Sequence, residues 1–154
     1  SANLGQAPAR QVALAAGLPE SAVCTTINKV CASGMKAVIA GCQSILLGDS
    51  QSVIAGGMES MSGAPFYLTD RRMRAGGLYG NGSPVLDSVI RDGLWDPRHD
   101  CHMGTHTEGV ARQHGISRAD QDAYAELSYR RAAAAWARGA FTAEVIAVET
   151  PRGT

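Results

Sequence analysis

"NKVCASGMKAVIAGCQSILLGDSQSVIAGG", residues 28–57, decides the fold. It continues a stretch, "SAVCTTINKV" (residues 21–30), that is rich in β-branched residues, as a buried strand would be. From Ser33 the period changes. Met35, Val38, Ile39, Cys42, Ile45 and Leu46 recur at three- and four-residue steps and so share one helix face. Gly48 and Asp49 end that helix, and "QSVIAGG" (residues 51–57) reads as a short strand. Strand, helix, strand is the signature of an α/β layer built on a parallel sheet.

Cys31 falls at the turn between the first strand and the helix. A helix N-terminus presents unpaired N–H groups and the positive end of the dipole. Both favour a thiolate over a thiol, and the same N–H groups can hold a developing oxyanion. Ala32, Ser33 and Gly34 are small and leave room for a substrate. The competing reading is a small buried structural residue. Position alone leaves both open for Cys31, whereas Cys24 on its strand and Cys42 on the apolar face read as packing.

Outward from this unit, residues 6–16 read as a helix, with Gly17 as its stop and Pro19 forbidding continuation. After Gly57 the texture changes. "MESMSGAPFYLTDRRMRAGGLYGNGSP" (residues 58–84) is rich in Gly, Pro and Ser and too long for an ordinary connection, which points to a functional or interface loop. Arg71, Arg72 and Arg74 within it read as a solvated loop. Residues 85–91 read as a helix. Thr105-x-x-Glu108 has the form of a capping box opening a helix that Gly115 closes. Ser117 caps a longer helix that runs to Arg138, with Gly139 as its stop, and "AEVIAVET" (residues 143–150) reads as a final strand.

Bulk properties narrow the function. A chain of 154 residues can bury one core. Its 14 Lys and Arg balance 14 Asp and Glu, so a nucleic-acid partner held by phosphate neutralisation is not expected. No apolar run approaches the ~20 residues of a membrane span, and no membrane partner is expected. The sequence opens "SANLGQAPARQ" without a Met, so the missing targeting signal carries no weight. Four cysteines, at 24, 31, 42 and 101, include no Cys-x-x-Cys pair and point to a reducing compartment.

"RHDCHMGTHTE" (residues 98–108) gathers His99, Cys101, His102 and His106. His102 and His106 would share a helix face and could suggest a metal. Gly104 interrupts, and the expected cap at Thr105 falls between the two histidines. No metal site is expected there, and substrate-lining roles for His102 and Met103 fit better.

These blocks together resemble the thiolase family. "NKVCASGMKAV" looks like its nucleophile block. "GQAPARQ", "VIAGGMESMS", "DGL", "CHMGTHTEGVA" and "SRADQDAYAELSYRRAAAAW" are similar to its successive blocks, in the family's order and spacing, from Gly5 to about Val148. "CHMG" and "NKVCASGMKA" resemble the acetoacetyl-CoA branch. The resemblance implies a layered α/β fold, with a parallel-rich sheet and helices, plus an inserted, mostly helical loop domain. Residues 1–62 would be part of the N-terminal core domain and residues 63–154 an incomplete loop domain, with no C-terminal domain. Cys31 would be the cysteine acylated by an acyl-CoA, its N–H contributing to an oxyanion hole. Leu94, His102 and Met103 would line the pantetheine and acyl end of the coenzyme A site.

The implied reaction is reversible condensation of two acetyl-CoA molecules to acetoacetyl-CoA, a step of lipid metabolism. Coenzyme A thioesters are the substrates, and no metal or redox cofactor takes part. The strand before Cys31 would pair across a homodimer, and residues 65–84 would build a homotetramer. The expected compartment is the cytoplasm, with the mitochondrial or peroxisomal matrix as alternatives. Two other functions stay open: a degradative 3-ketoacyl-CoA thiolase, and a truncated, non-catalytic binding or assembly module. One departure matters. Residues 1–154 contain none of the Asn-Glu-Ala-Phe, His-Pro-x-Gly and Cys-x-Gly-Gly-Gly blocks that carry the family's remaining active-site groups. The 154 residues alone are expected to be inactive and poorly stable.

Overall fold

The computed structural model describes residues 3–69 and 84–149. Both helices and strands are present, and the chain divides into two compact units, Ser1–His102 and Met103–Thr154.

In the first unit, α1 spans Pro8–Ala15. Proline suits the first helical position because its missing N–H would have had no partner there. The Arg10 guanidinium donates to the carbonyls of Glu20 (2.8 Å) and Ala22 (3.0 Å), and the Ala9 N–H donates to Thr26 Oγ1 (3.3 Å). Residues 20–26 are thus tied to α1 by side-chain hydrogen bonds. They do not form the strand that their composition suggests. Apart from one isolated bridge between Lys29 and Cys31, residues 21–30 pair with no strand among the described residues.

The second helix, α2, spans Ser33–Leu46. Its covered side is not the one the periodicity selects. Gly41 is buried, with Lys36, Ala37, Ala40 and Ser44 half-buried beside it. Ser44 Oγ donates to Ser50 Oγ at 3.0 Å, and Val53 lies against Gly41. The expected apolar face stands in solvent, Met35 at 71% and Leu46 at 85% exposed. Periodicity identifies an apolar stripe, but covering it requires a partner layer, and none of the described residues of this unit provides one. Residues 51–57 likewise join no ladder.

The ladders among the described residues are two short antiparallel pairs. Strand β1 (Phe66–Leu68) pairs with β2 (Val85–Asp87), Tyr67 lying opposite Leu86. Residues 85–87 are therefore strand where a helix was expected, because the partner that selects the strand lies far away in sequence. The interval between these strands, including Arg71, Arg72, Arg74 and most of the 65–84 stretch read as a tetramer loop, lies outside the described residues. A six-residue π-helix, Val89–Leu94, follows. Asp87 Oδ1 accepts from the Val89 N–H (2.8 Å), and the Tyr67 hydroxyl donates to Asp92 Oδ2 (2.8 Å), holding this turn to β1. Then β3 (Trp95–Asp96) and β4 (Cys101–His102) form a hairpin, Trp95 opposite His102. The parallel-rich sheet expected from the sequence is not seen among the described residues.

The second unit carries α3 (Met103–Gln113) and α4 (Arg118–Ala137). The former starts two residues ahead of Thr105, because β4 hands the chain directly to it. The latter opens at Ser117 with a reciprocal box: Ser117 Oγ accepts from the Asp120 N–H (3.1 Å), and Asp120 Oδ2 accepts from the Ser117 N–H (3.1 Å). Both helices close with a glycine in the left-handed region, Gly115 (φ 63°) and Gly139 (φ 71°). The following N–H groups reach back to Ala111 and Ala135 (2.9 and 3.0 Å), the Schellman pattern. Past α4, Phe141 rests its ring on Trp136, centroids 5.3 Å apart. Residues 143–149 join no ladder, contrary to the strand reading. Across both units the buried residues among those described are Pro8, Gly41, Ser88 and Ala135. No helix among them is long and apolar enough to cross a membrane.

Candidate active site

Cys31 lies two residues before α2, with Ala32 as the N-cap. No side chain caps this end. Two backbone bonds reach out of this end of the helix, from the Ser33 N–H to the Val30 carbonyl (3.1 Å) and from the Lys36 N–H to the Ala32 carbonyl (2.9 Å). The Ala32 N–H is taken by the Lys29 carbonyl (3.1 Å), and the Gly34 and Met35 N–H groups, in the first turn, have no intrahelical partner. Cys31 is a free, exposed thiol.

The turn that places it is unusual. Val30 has φ 51°, in the left-handed region where a β-branched residue is an outlier. Asn28 Oδ1 accepts from the Val30 N–H (3.0 Å). Ser33 Oγ accepts from the Lys29 N–H (2.8 Å) and donates to the Val30 carbonyl (2.6 Å). The Ser33 N–H donates to that same carbonyl at 3.1 Å. Sequence reading valued Ser33 only for its small size and passed over Asn28. The signal was present, since Asn and Ser side chains readily bond neighbouring backbone groups in turns.

The other cysteines differ. Cys24 is half-buried and its thiol donates to the Ala22 carbonyl at 3.5 Å. Cys42, expected in the core, is exposed, because it shares the uncovered face of α2. Cys101 is half-buried in β4.

Leu94 ends the π-helix, next to Trp95, whose partner across the hairpin is His102. Leu94 thus directly precedes the residue paired with His102, and Met103 follows His102 as the first residue of α3. All three are exposed. The hairpin's four-residue turn is set by its acids. Asp96 Oδ1 accepts from the Arg98 N–H (2.8 Å), Asp96 Oδ2 lies 2.6 Å from His99 Nδ1, and Asp100 Oδ1 accepts from the Trp95 indole N–H (2.9 Å). Asp-Pro-x-x-Asp is a legible turn signal. In the sequence, His99, Cys101, His102 and His106 stand out as metal or substrate candidates, and Asp96 and Asp100 are given no role.

Comparison with known proteins places these features in context. Residues 1–154 match the family profile described as thiolase, N-terminal domain. The chain is 54% identical to acetyl-CoA acetyltransferase 2 of Arabidopsis thaliana over 99% of its own length and 37% of that protein's. It is 49% identical to a cytosolic acetyl-CoA acetyltransferase of Gibberella zeae, over 99% of this chain and 38% of that one. Among solved structures it resembles the Acat5 thiolase of Ascaris suum, determined in complex with coenzyme A. The TM-score is 0.88 at 45% identity, covering 96% of this chain and 37% of that one. The chain thus spans little more than a third of the length of these relatives.

Proposed function

The chain belongs to the thiolase family through its N-terminal domain, and from that premise we propose that it carries the nucleophile of an acetyl-CoA acetyltransferase. The observation that carries this reading is Cys31: an exposed thiol at the uncapped end of α2, inside the block "NKVCASGMKAV". The Cys31 thiolate attacks the thioester carbonyl of acetyl-CoA. A carbon–sulfur bond forms to Cys31, the bond to coenzyme A breaks, and free coenzyme A leaves, giving an acetyl-enzyme. A second acetyl-CoA loses a methyl proton to a base, and its carbanion attacks the acetyl carbonyl. The new carbon–carbon bond forms as the Cys31 thioester breaks, releasing acetoacetyl-CoA. The reverse is thiolysis.

Backbone N–H groups at this helix end stabilise the negative charge that develops on the carbonyl oxygen. Leu94, His102 and Met103 orient the pantetheine and acyl end. The thioester itself acidifies the α-carbon, so in this reading the chemistry runs without a metal or redox cofactor. The base and the group that activates the thiol come from sequence other than residues 1–154, which alone do not turn over. Identity with acetyl-CoA acetyltransferases supports the acetoacetyl branch over a degradative one.

In the same proposal, residues 1–62 belong to the core domain and residues 63–154 to a loop domain. The segment before Cys31 pairs across a dimer, and residues 65–84 join dimers into a tetramer. The compartment is cytosolic, as described for the Gibberella relative.

The test is coenzyme A-dependent cleavage of acetoacetyl-CoA by the protein of the complete reading frame, set beside a long-chain 3-ketoacyl-CoA. Preference for acetoacetyl-CoA is expected, and a long-chain preference or no cleavage of either would overturn the reading.

A further inference from the structure

The turn before Cys31 is held in a conformation that its own sequence disfavours. Val30 sits at φ 51°, where the β-carbon of an L-residue crowds the following carbonyl. Val30 is 62% exposed, and no packing contact among the described residues accounts for this angle. What holds it is a clamp from both sides in sequence. Asn28 takes the Val30 N–H, while Ser33 takes the Lys29 N–H and also donates to the Val30 carbonyl. Both peptide groups flanking Val30 are thus held by side chains that flank Cys31, together with backbone bonds from the Ala32 and Ser33 N–H groups to the Lys29 and Val30 carbonyls (3.1 Å each).

We infer that Asn28 and Ser33 are positioning residues for acyl transfer, holding Val30 in the left-handed region so that Cys31 is presented at the open end of α2. The inference rests on the acyl-cysteine reading above and adds how the thiol is aimed. If φ of Val30 relaxed to negative values, the peptide joining Val30 to Cys31 would rotate. The Cys31 N–H, which that reading assigns to the oxyanion, would turn with it. A displacement of this kind acts on orientation, and orientation governs the rate of attack more than the binding of substrate.

The experiment uses the protein of the complete reading frame. Asn28→Ala, Ser33→Ala, Asn28→Asp and the double variant Asn28→Ala/Val30→Gly are compared for the rate of Cys31 acetylation by acetyl-CoA, for KM, and for thermal midpoint. Asn28→Ala and Ser33→Ala are each expected to slow acetylation about tenfold, the size of one lost hydrogen bond expressed as a rate. KM for acetyl-CoA should hold within about twofold. Asn28→Asp keeps the accepting oxygen and should restore the rate. Val30→Gly should return part of the Asn28→Ala loss, since glycine enters the left-handed region without penalty, and a purely structural role for Asn28 predicts no such rescue. Unchanged acetylation in both alanine variants, or slowing that only tracks the unfolded fraction, would overturn the inference while leaving the acyl-cysteine reading intact. Absence of acetyl-Cys31 in the unaltered protein would overturn both.

Discussion

Gly41→Ala should destabilise the protein, although helix propensity argues the opposite. Gly41 lies in the interior of α2, and alanine at an open helix position is favoured over glycine by about 1 kcal/mol. A β-carbon at Gly41, however, stands 2.9 Å from Val53 Cγ1 and 3.4 Å from Val53 Cβ. Carbon atoms attract best at about 3.5–4.0 Å, so the first contact overlaps by half an ångström or more. Valine cannot swing clear, because branching at Cβ leaves it few rotamers. Overpacking of this kind costs about 1–3 kcal/mol, which outweighs the propensity gain and leaves a net loss of about 1 kcal/mol. Val53→Ala removes the obstructing methyl groups. In that background Gly41→Ala should stabilise by about 1 kcal/mol, a coupling of about 2 kcal/mol between the two sites. Urea unfolding of the four proteins in the cycle measures it. If Gly41→Ala carries the same sign in both backgrounds, residues 51–57 do not seat against α2 as described.

Ser117→Ala should cost α4 about 1 kcal/mol of capping, read as lost helicity by circular dichroism. The Ser117 hydroxyl and N–H hold the Asp120 carboxyl below its ordinary value. The stability from this contact is therefore full above the ordinary carboxylate range and lost as pH falls through the lowered value. NMR titration should show Asp120 moving back toward the ordinary value in the variant. Tyr67 should titrate above the usual tyrosine range, because its hydroxyl donates to Asp92 and an ionised ring would lie beside that carboxylate. That contribution is full below the ordinary tyrosine value and lost as pH rises through the raised one, and Asp92→Asn should bring the Tyr67 ring signal back down. His102→Ala should raise KM for acetoacetyl-CoA or lower kcat while leaving the melt unchanged. Unaltered kinetics would remove His102 from the substrate site.

Local signals were legible in the sequence, and non-local ones were not. Gly17, Gly48, Gly115 and Gly139 stop α1, α2, α3 and α4 where the sequence places their ends, because a left-handed C′ position is a property of one residue. Ser117 declares its helix for the same reason. Residues 21–30, 51–57 and 143–149 have strand composition, but β-propensity records fit to a half-buried pleated surface and cannot supply the neighbour. Val85 and Leu86 resemble a helix start until Leu68 and Tyr67 pair with them across an interval no local window spans. The stripe from Met35 to Leu46 is a true amphipathic pattern whose partner layer does not lie among the described residues. At the turn before α2, the place of Cys31 between extended chain and helix was legible, as was the tendency of Asn28 and Ser33 to bond nearby backbone, whereas the left-handed angle of Val30 was not, since nothing local in a β-branched residue signals it.

The most direct test of the central claim is to incubate the protein of the complete reading frame with radiolabelled acetyl-CoA, quench it in acid, and map the label by peptide. Acetyl on the peptide carrying Cys31, discharged by added coenzyme A, is the result expected. Label on Cys24, Cys42 or Cys101 in its place, or no covalent label while acetoacetyl-CoA is still turned over, would contradict the account.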